Sequence, residues 1–351
     1  MYFLNINYSN RSFLDSFHSR IGLLVDNPEN PSEDRKKCKL CIIQTGCLSV
    51  EKYKNDTLAC IDTLGRQCSQ QGIPYYMAVS GVPDDLKWLL TNPLCKTNLQ
   101  VSPNGLDDIE YDVSRICINL DEKQDEKFVN ILDFSNIIHD KDGSGSYKLF
   151  YGLKKVIEDY DAEVIWMLDG DCVVNIKNTF RLIEQIDINH NFHIGNNVYG
   201  LSEFDIKGRM HHGGCGYMIT RYTANKIYGH LQGFQERWET NYCDLVNRDF
   251  YKRASDVAFA ILVSLISCDH LSVTDNVMTS EYNLFSEEYR KHTGNNLIQS
   301  NWLSSHHMHS DDIYKLYSVY TGDNTGKTGD TGDNTGDNTE LTDCYGSDYK
   351  N

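Results

Sequence analysis

The chain has no surplus of basic charge. Against 33 lysines and arginines stand 50 aspartates and glutamates, a formal net charge of −17. With no basic face to meet phosphates, the composition argues against a nucleic-acid binder. No apolar run approaches the ~20 residues of a membrane-spanning helix. The longest, Val257 to Cys268 (VAFAILVSLISC), reads as a buried helix. A basic n-region followed by an apolar h-region is missing from the N-terminus, so no secretory leader is read. The expectation is a protein with no membrane anchor of its own, in the cytoplasm rather than the secretory route. A second C-x-x-C is missing too. Cys38-Lys-Leu-Cys41 is half a zinc site in form, and standing alone it reads better as buried strand cysteines. Cys243 and Cys268 bracket Asp256 and would be able to pair in an oxidising compartment; without a leader, thiols are expected.

What is present is enough for a substantial core. The 351 residues, 40% hydrophobic and 24% charged, suit one large α/β domain or two small ones. Residues 1–36 are polar and close in NPENPSEDRKK, a linker or an extension at an edge. Leu40 to Thr45 is a compact apolar run and a buried first strand. A helical stretch follows from about Val50 to Gln70, then a second strand, Pro74 to Val79, closed by Ser80-Gly81. Val113 to Leu120 alternates as a third strand would. From Tyr147 to Tyr160, Leu149, Phe150, Leu153, Val156 and Ile157 recur at helical spacing behind the Gly/Ser run 143–146. That helix leads into Val164 to Leu168, another buried strand. Strands alternating with helices imply a mostly parallel sheet with helices on both faces, whose ligands bind at the carboxyl ends of the strands. Beyond residue 318 the Thr-Gly-Asp-Asn repeats have no apolar residue to bury, and residues 319–351 read as a disordered, dispensable tail.

Three D-x-D patterns occur: Asp140-Lys-Asp142, Asp159-Tyr-Asp161 and Asp169-Gly-Asp171. The first two, in a Gly/Ser-rich loop and at a helix end, read as solvated. Only the third comes directly off an apolar strand, where its carboxylates either shape a turn or hold a hard divalent cation. Gly213-Gly214 is either an ordinary turn or a place where the backbone approaches a ligand closely. Asp256 either caps the apolar helix that follows it or supplies a base at the helix start. His306, His307 and His309 would be able to form a zinc cluster with His211 or His212, but adjacent histidines rarely face one centre, which argues against it.

In their order and spacing these segments resemble the fringe-like and core-1-type β-1,3-glycosyltransferases. Val164 to Val174 (VIWMLDGDCVV) is similar to their WF-x-x-x-DDD-x-Y-V segment, with Gly170 at the middle acid. Lys148, 21 residues before Asp169, stands near the position of a helix lysine in those families. His212 to Arg221 (HGGCGYMITR) resembles their GGAGY segment, Ser255-Asp256-Val257 their (E/D)DV motif, and His307-Met308-His309 their FHSH. The resemblance spans roughly residues 38–318 and implies one GT-A domain over residues 37–318. It implies Mn²⁺ (or Mg²⁺) held by Asp169, Asp171 and one of His307 and His309. A UDP-sugar donor would meet Thr45, Lys148, Asp169 and Gly170, while Gly213 and Gly214 would line the sugar and acceptor side. Asp256 would be the general base of an inverting transfer of a hexose or N-acetylhexosamine to a glycan or glycoprotein hydroxyl. Two other readings stay open: a GT-A transferase with a different nucleotide-sugar donor, and a non-catalytic, fringe-like glycan-binding protein.

Overall fold

The computed structural model of the chain describes residues 5–7, 22–86, 129–135, 145–196, 199–200, 209–244, 249–274, 277–280, 282–294 and 301–321. The first strand, β1 (Asn5–Asn7), lies at one edge of the main sheet. The next, β2 (Lys36–Thr45), is central, and its residues alternate between two cores. Leu40 and Ile42 face one core and Cys41 and Ile43 the other, all essentially inaccessible to solvent. A strand buried on both faces reads as a continuous apolar run because neither face can be polar.

The expected helix after it is present as α1 (Glu51–Cys60), a π-helical turn over Ile61–Gly65, and α2 (Arg66–Gln70). It leads to β3 (Tyr75–Val79) and, further on, β4 (Val129–Asp133). The amphipathic helix is α3 (Gly145–Asp159), followed by β5 (Tyr160–Leu168), β6 (Val173–Val174), α4 (Ile176–Ile183) and β7 (Phe192–Asn196). After a short hairpin, β8 (Tyr199–Gly200) with β9 (Arg209–Met210), come β10 (Tyr217–Thr220), α5 (Arg221–Leu231) and α6 (Phe234–Arg237), which runs into a π-helical turn at Trp238–Cys243. The apolar helix is α7 (Ser255–Leu265). The chain then forms β11 (Asp269–Val273), β12 (Met278–Thr279), α8 (Glu287–Thr293), β13 (Ser304–Ser305) and α9 (Ser310–Thr321). The strand expected at Val113–Leu120, the Asp140-Lys-Asp142 pair and the Thr-Gly-Asp-Asn tail lie outside the described residues.

The main sheet has the order β1-β11-β7-β10-β5-β2-β3-β4. It is mixed: β2, β3, β4, β5, β7 and β11 all run one way, and β10 and β1 run against them. Helices cover both faces. One core packs Leu40, Trp166 and Leu168 against Leu58 and Ile61 of the first helical stretch, Leu182 of α4, and Ile313 and Leu316 of α9. The other packs Ile43, Ile165 and Met167 against α3, α5 and α7, with Trp238 and Leu23 filling in. Thus the polar N-terminal stretch gives the sheet an edge strand at Asn5–Asn7 and the core a wholly buried leucine.

The second D-x-D is not simply solvated, as its position at a helix end had suggested. Asp159 accepts from Tyr76 Oη at 2.7 Å and pairs with Lys155, and Asp161 pairs with Arg35 and Arg221 across the base of β5. Cys243 and Cys268 are thiols with no bridge between them. No helix among the described residues is long and apolar enough to cross a membrane.

Phe150 of α3 ties the second core together. It is fully buried, with ring centroids 4.9 Å from Phe234 and 6.3 Å from Phe259. Phe150→Ala should cost about 3–5 kcal/mol, read as a fall in the urea midpoint at unchanged slope; a loss under about 1 kcal/mol would mean that this core collapses around the gap.

Candidate active site

Because six strands share one direction, their carboxyl ends meet at one edge of the sheet, and β10, running the other way, begins there. Thr45 ends β2, and Asp169-Gly170-Asp171 leaves β5 beside it. Thr45 Oγ1 donates to Asp169 Oδ1 at 3.1 Å. Below them the buried amide of Gln44 donates to the carbonyls of Asp169 at 2.7 Å and Cys172 at 2.9 Å, and accepts from Tyr75 Oη at 2.7 Å. These bonds hold the acidic turn by its backbone and leave its carboxylates to point away. Gly170 explains itself here: a Cβ would sit 2.8 Å from the Thr45 carbonyl oxygen. The acid that the resembled families carry at this position does not fit this turn.

Lys148, read from sequence as an exposed helix lysine or a phosphate contact, is buried at 3% exposure, and its Nζ donates to the Gly46 carbonyl at 2.6 Å. A buried ammonium on a backbone oxygen is a strong, charge-assisted bond. It fixes the turn that follows Thr45.

The second half of the site arrives by strand register. β13 pairs antiparallel with β6, Ser305 opposite Val173. Extending that register by two residues sets Asp171 against His307, and Met308 N–H does donate to the Asp171 carbonyl at 3.0 Å. His306 Nε2 lies 3.1 Å from Asp171 Oδ1 and His307 Nδ1 lies 3.8 Å from Asp171 Oδ2. One ligand atom from each of these three residues falls within 4.8 Å of the others, a group able to hold a metal ion. His306 is steered by its other nitrogen, 2.8 Å from the Ser280 carbonyl, the arrangement by which ligating histidines are usually oriented.

Two adjacent histidines therefore do face one centre, contrary to expectation. The reason is the backbone: His307 has φ 55°, in the left-handed region, which folds its ring back to 3.8 Å from that of His306. A non-glycine residue there carries local strain. His309 turns away, its Nδ1 3.5 Å from Asp56 Oδ2, and so stands outside the group in which it was expected.

The charges are unevenly disposed. Burial alone would raise the pKa of Asp171, but its hydrogen bond to His306 and the charges of His306 and His307 bring it below the ordinary value. Burial opposes the charge on His306, and Asp171 more than offsets it, so His306 is raised. Burial and neighbouring His306 lower His307. Asp169, although open to solvent at the rim, is raised by the protein packed around its carboxylate and by Asp171. Two carboxylates at one turn thus resist sharing full charge.

Gly213 and Gly214 stand between this group and Asp256. A Cβ on Gly214 would come within 2.3 Å of the His306 ring, and one on Gly213 would lie 3.0 Å from Asp256 Cβ. Asp256 is the second residue of α7, and no side-chain cap bond is made at that helix start. Its carboxylate instead accepts from Val257 N at 2.8 Å and, at a long 3.4 Å, from Gly213 N. Asp256 is thus not the N-cap residue, which is Ala254, but it satisfies one first-turn N–H of the helix while keeping its other oxygen toward Gly213. Sequence reasoning missed Gln44, and it weighed His306 only as a zinc ligand and set it aside in favour of His307 or His309. Nothing in a strand-end glutamine marks it, and His306 emerges only from the β6–β13 register.

Cys38 and Cys41 belong to no metal-capable group among the described residues. No family model matches the chain, and no curated protein matches it. Among solved structures it is similar to the galactosyltransferase LgtC in complex with donor and acceptor sugar analogs. That match covers 79% of this chain and 95% of that one, at 11% identity and a TM-score of 0.41. An active-site mutant of LgtC matches over 76% of this chain and 86% of that one, at 9% identity and a TM-score of 0.34.

If the group holds a divalent cation, Gly214→Ala should displace His306 and weaken that binding at least about tenfold, an effect of about 1.4 kcal/mol, by titration calorimetry with Mn²⁺ as the probe on a folded chain. Unchanged affinity would remove His306 from the metal site. A second prediction follows from the two shifted groups. His306, raised above its ordinary 6.5, stabilises fully below that value and loses its contribution as pH rises through the folded value. Asp171, lowered below 3.8, contributes above that value and loses it as pH falls through the folded value. In metal-free buffer His306→Gln should therefore cost about 1–2 kcal/mol near pH 5.5 and markedly less near pH 9. An equal cost at both would show that the pair is not an ion pair.

Proposed function

We propose that the chain is a metal-dependent glycosyltransferase of the GT-A type. The observation that carries this reading is the meeting, at the carboxyl edge of a mixed sheet, of Asp169-Gly170-Asp171 with His306 and His307. The resemblance to fringe-like and core-1-type enzymes supports the finer assignment: an inverting transfer of a hexose or N-acetylhexosamine from a UDP-sugar to a glycan hydroxyl.

Asp171, His306 and His307 are the residues to hold the cation. Two imidazoles with a carboxylate favour Mn²⁺ over Mg²⁺, which wants oxygen ligands throughout. When bound, the cation neutralises the diphosphate as negative charge develops on the leaving group. Thr45 and Asp169, at the ends of neighbouring strands, offer a hydroxyl and a carboxylate for the nucleoside. Lys148 acts through the Gly46 carbonyl and positions that edge rather than touching phosphate. Gly213 and Gly214 leave the backbone open to the sugar.

Asp256 holds the position of the base. Its oxygen nearest Gly213 makes only a long bond and has a lone pair to spare. In the transfer the acceptor O–H proton passes to Asp256 and the acceptor oxygen bonds to the anomeric carbon. The bond from that carbon to the diphosphate oxygen breaks, its electron pair leaving with UDP, so configuration inverts.

The test is Mn²⁺-dependent release of UDP from a panel of UDP-sugars, alongside UDP–Mn²⁺ binding by calorimetry. Asp256→Asn should melt near wild type and bind UDP with Mn²⁺ normally, yet lose on the order of 10²–10⁴ in rate. Asp171→Ala should lose the Mn²⁺-dependent binding itself. Binding that ignores chelators in both chains would defeat the metal reading, and near-normal turnover in Asp256→Asn would move the base elsewhere.

A further inference from the structure

A second group of metal-capable side chains lies inside the fold, independent of the proposed transferase site. His193 of β7 and His270 of β11 are register partners on adjacent parallel strands. His211, just after β9, closes over them. All three are essentially inaccessible, at 1%, 2% and 1% exposure respectively. One ring nitrogen from each lies within 4.8 Å of the others. The ring centroids are 4.4 Å apart for His193–His211, 5.2 Å for His193–His270 and 5.5 Å for His211–His270.

Simple packing does not account for this. Neither ring nitrogen of His193 meets a hydrogen-bond partner among the described residues, and its ring is walled by Tyr217 and Phe259. Burying such a group without partners is costly. His211 is oriented as ligating histidines are. Its Nε2 lies 3.0 Å from the His193 carbonyl, which can only accept. The N–H is therefore on Nε2 and the basic nitrogen is Nδ1. The approach of His211 depends on Gly195, where a Cβ would fall 2.6 Å from His211 Cβ.

We propose that His193, His211 and His270 form a buried zinc-class metal site that pins β7 and β11 to the segment leading into Gly213-Gly214. Imidazole is a fitting ligand for borderline ions such as zinc and a poor one for Mg²⁺ or Ca²⁺. Around tetrahedral zinc with bonds of ~2.0–2.1 Å, ligand nitrogens lie about 3.3 Å apart. The observed group, whose ligand atoms lie within 4.8 Å of one another, would tighten to that spacing on binding, leaving a fourth position for a non-protein ligand.

The experiment uses the full chain without a histidine tag, carrying Asp171→Ala and His306→Ala to remove the other group. After loading with zinc and exchange into metal-free buffer, it should retain about one zinc per chain by mass spectrometry and melt higher than after chelation. Adding His193→Gln or His270→Gln should reduce retained zinc at least about tenfold. Should those variants fail to fold, the folded double variant is loaded with Co²⁺, whose visible d–d bands report a tetrahedral, nitrogen-rich site. A folded double variant that keeps neither zinc nor cobalt overturns the proposal, as does a folded His193→Gln chain that retains zinc in full.

Discussion

Everything at the candidate site depends on a two-residue antiparallel pairing between β6 and β13. That ladder carries a segment from near residue 305 to the exit of β5 and sets His306 and His307 on Asp171. So short a ladder is weak by itself, since each backbone bond contributes about 0.5–1.5 kcal/mol net. It holds because its flanks are fastened. Asn175 N–H donates to the Leu303 carbonyl at 2.7 Å, and Asn178 Nδ2 to that of Trp302 at 2.9 Å, with Trp302 wholly buried. On the other side Ser304 Oγ donates to the Cys215 carbonyl at 2.8 Å, which ties the same segment to the glycine-rich loop.

That last bond makes the site one unit rather than two. The loop from Gly213 to Gly216 touches His306 on one side and Asp256 on the other, and its carbonyl at Cys215 anchors β13. The metal-capable side chains and the base candidate are thus referenced to the same few backbone atoms. A shift of β10, on which the loop stands, would move both. The buried histidine group bears on the same point, because His211 is the second residue before Gly213 and is fixed between Gly195 and the His193 carbonyl.

Much of the scaffold was legible from apolar patterning. β2, β3, β5, α3 and α7 all lie where apolar runs and helical spacing placed them, because their buried faces leave no freedom in residue type. The Asp169-Gly170-Asp171 turn was legible for a related reason: carboxylates straight off a buried strand end have only the sheet edge to occupy. What could not be read were features set by contacts across long sequence gaps. The choice of His306 over His309 depends on the register of Ser305 with Val173 and on the positive φ of His307. Lys148 looked like any helix lysine because its partner, the Gly46 carbonyl, is a backbone atom with no side-chain signature. The antiparallel β10 was hidden because four buried residues read alike in either direction.

The polar edge also conflicts with stability in a way that the rest of the fold does not. Asp169 and Asp171 leave the same turn, and each makes the other's charge more costly. His306 relieves Asp171 by a hydrogen bond and by charge but Asp169 by charge alone, and His307 occupies a strained backbone conformation to join them. A sequence selected for stability alone would replace such a group, since carboxylates and strain of this kind contribute nothing to a core. A cation among these side chains would offset the repulsion between the acids and use the ring that the left-handed backbone turns inward. The physical fit of an added positive charge, more than the presence of any one residue type, is what marks this edge as a site for chemistry.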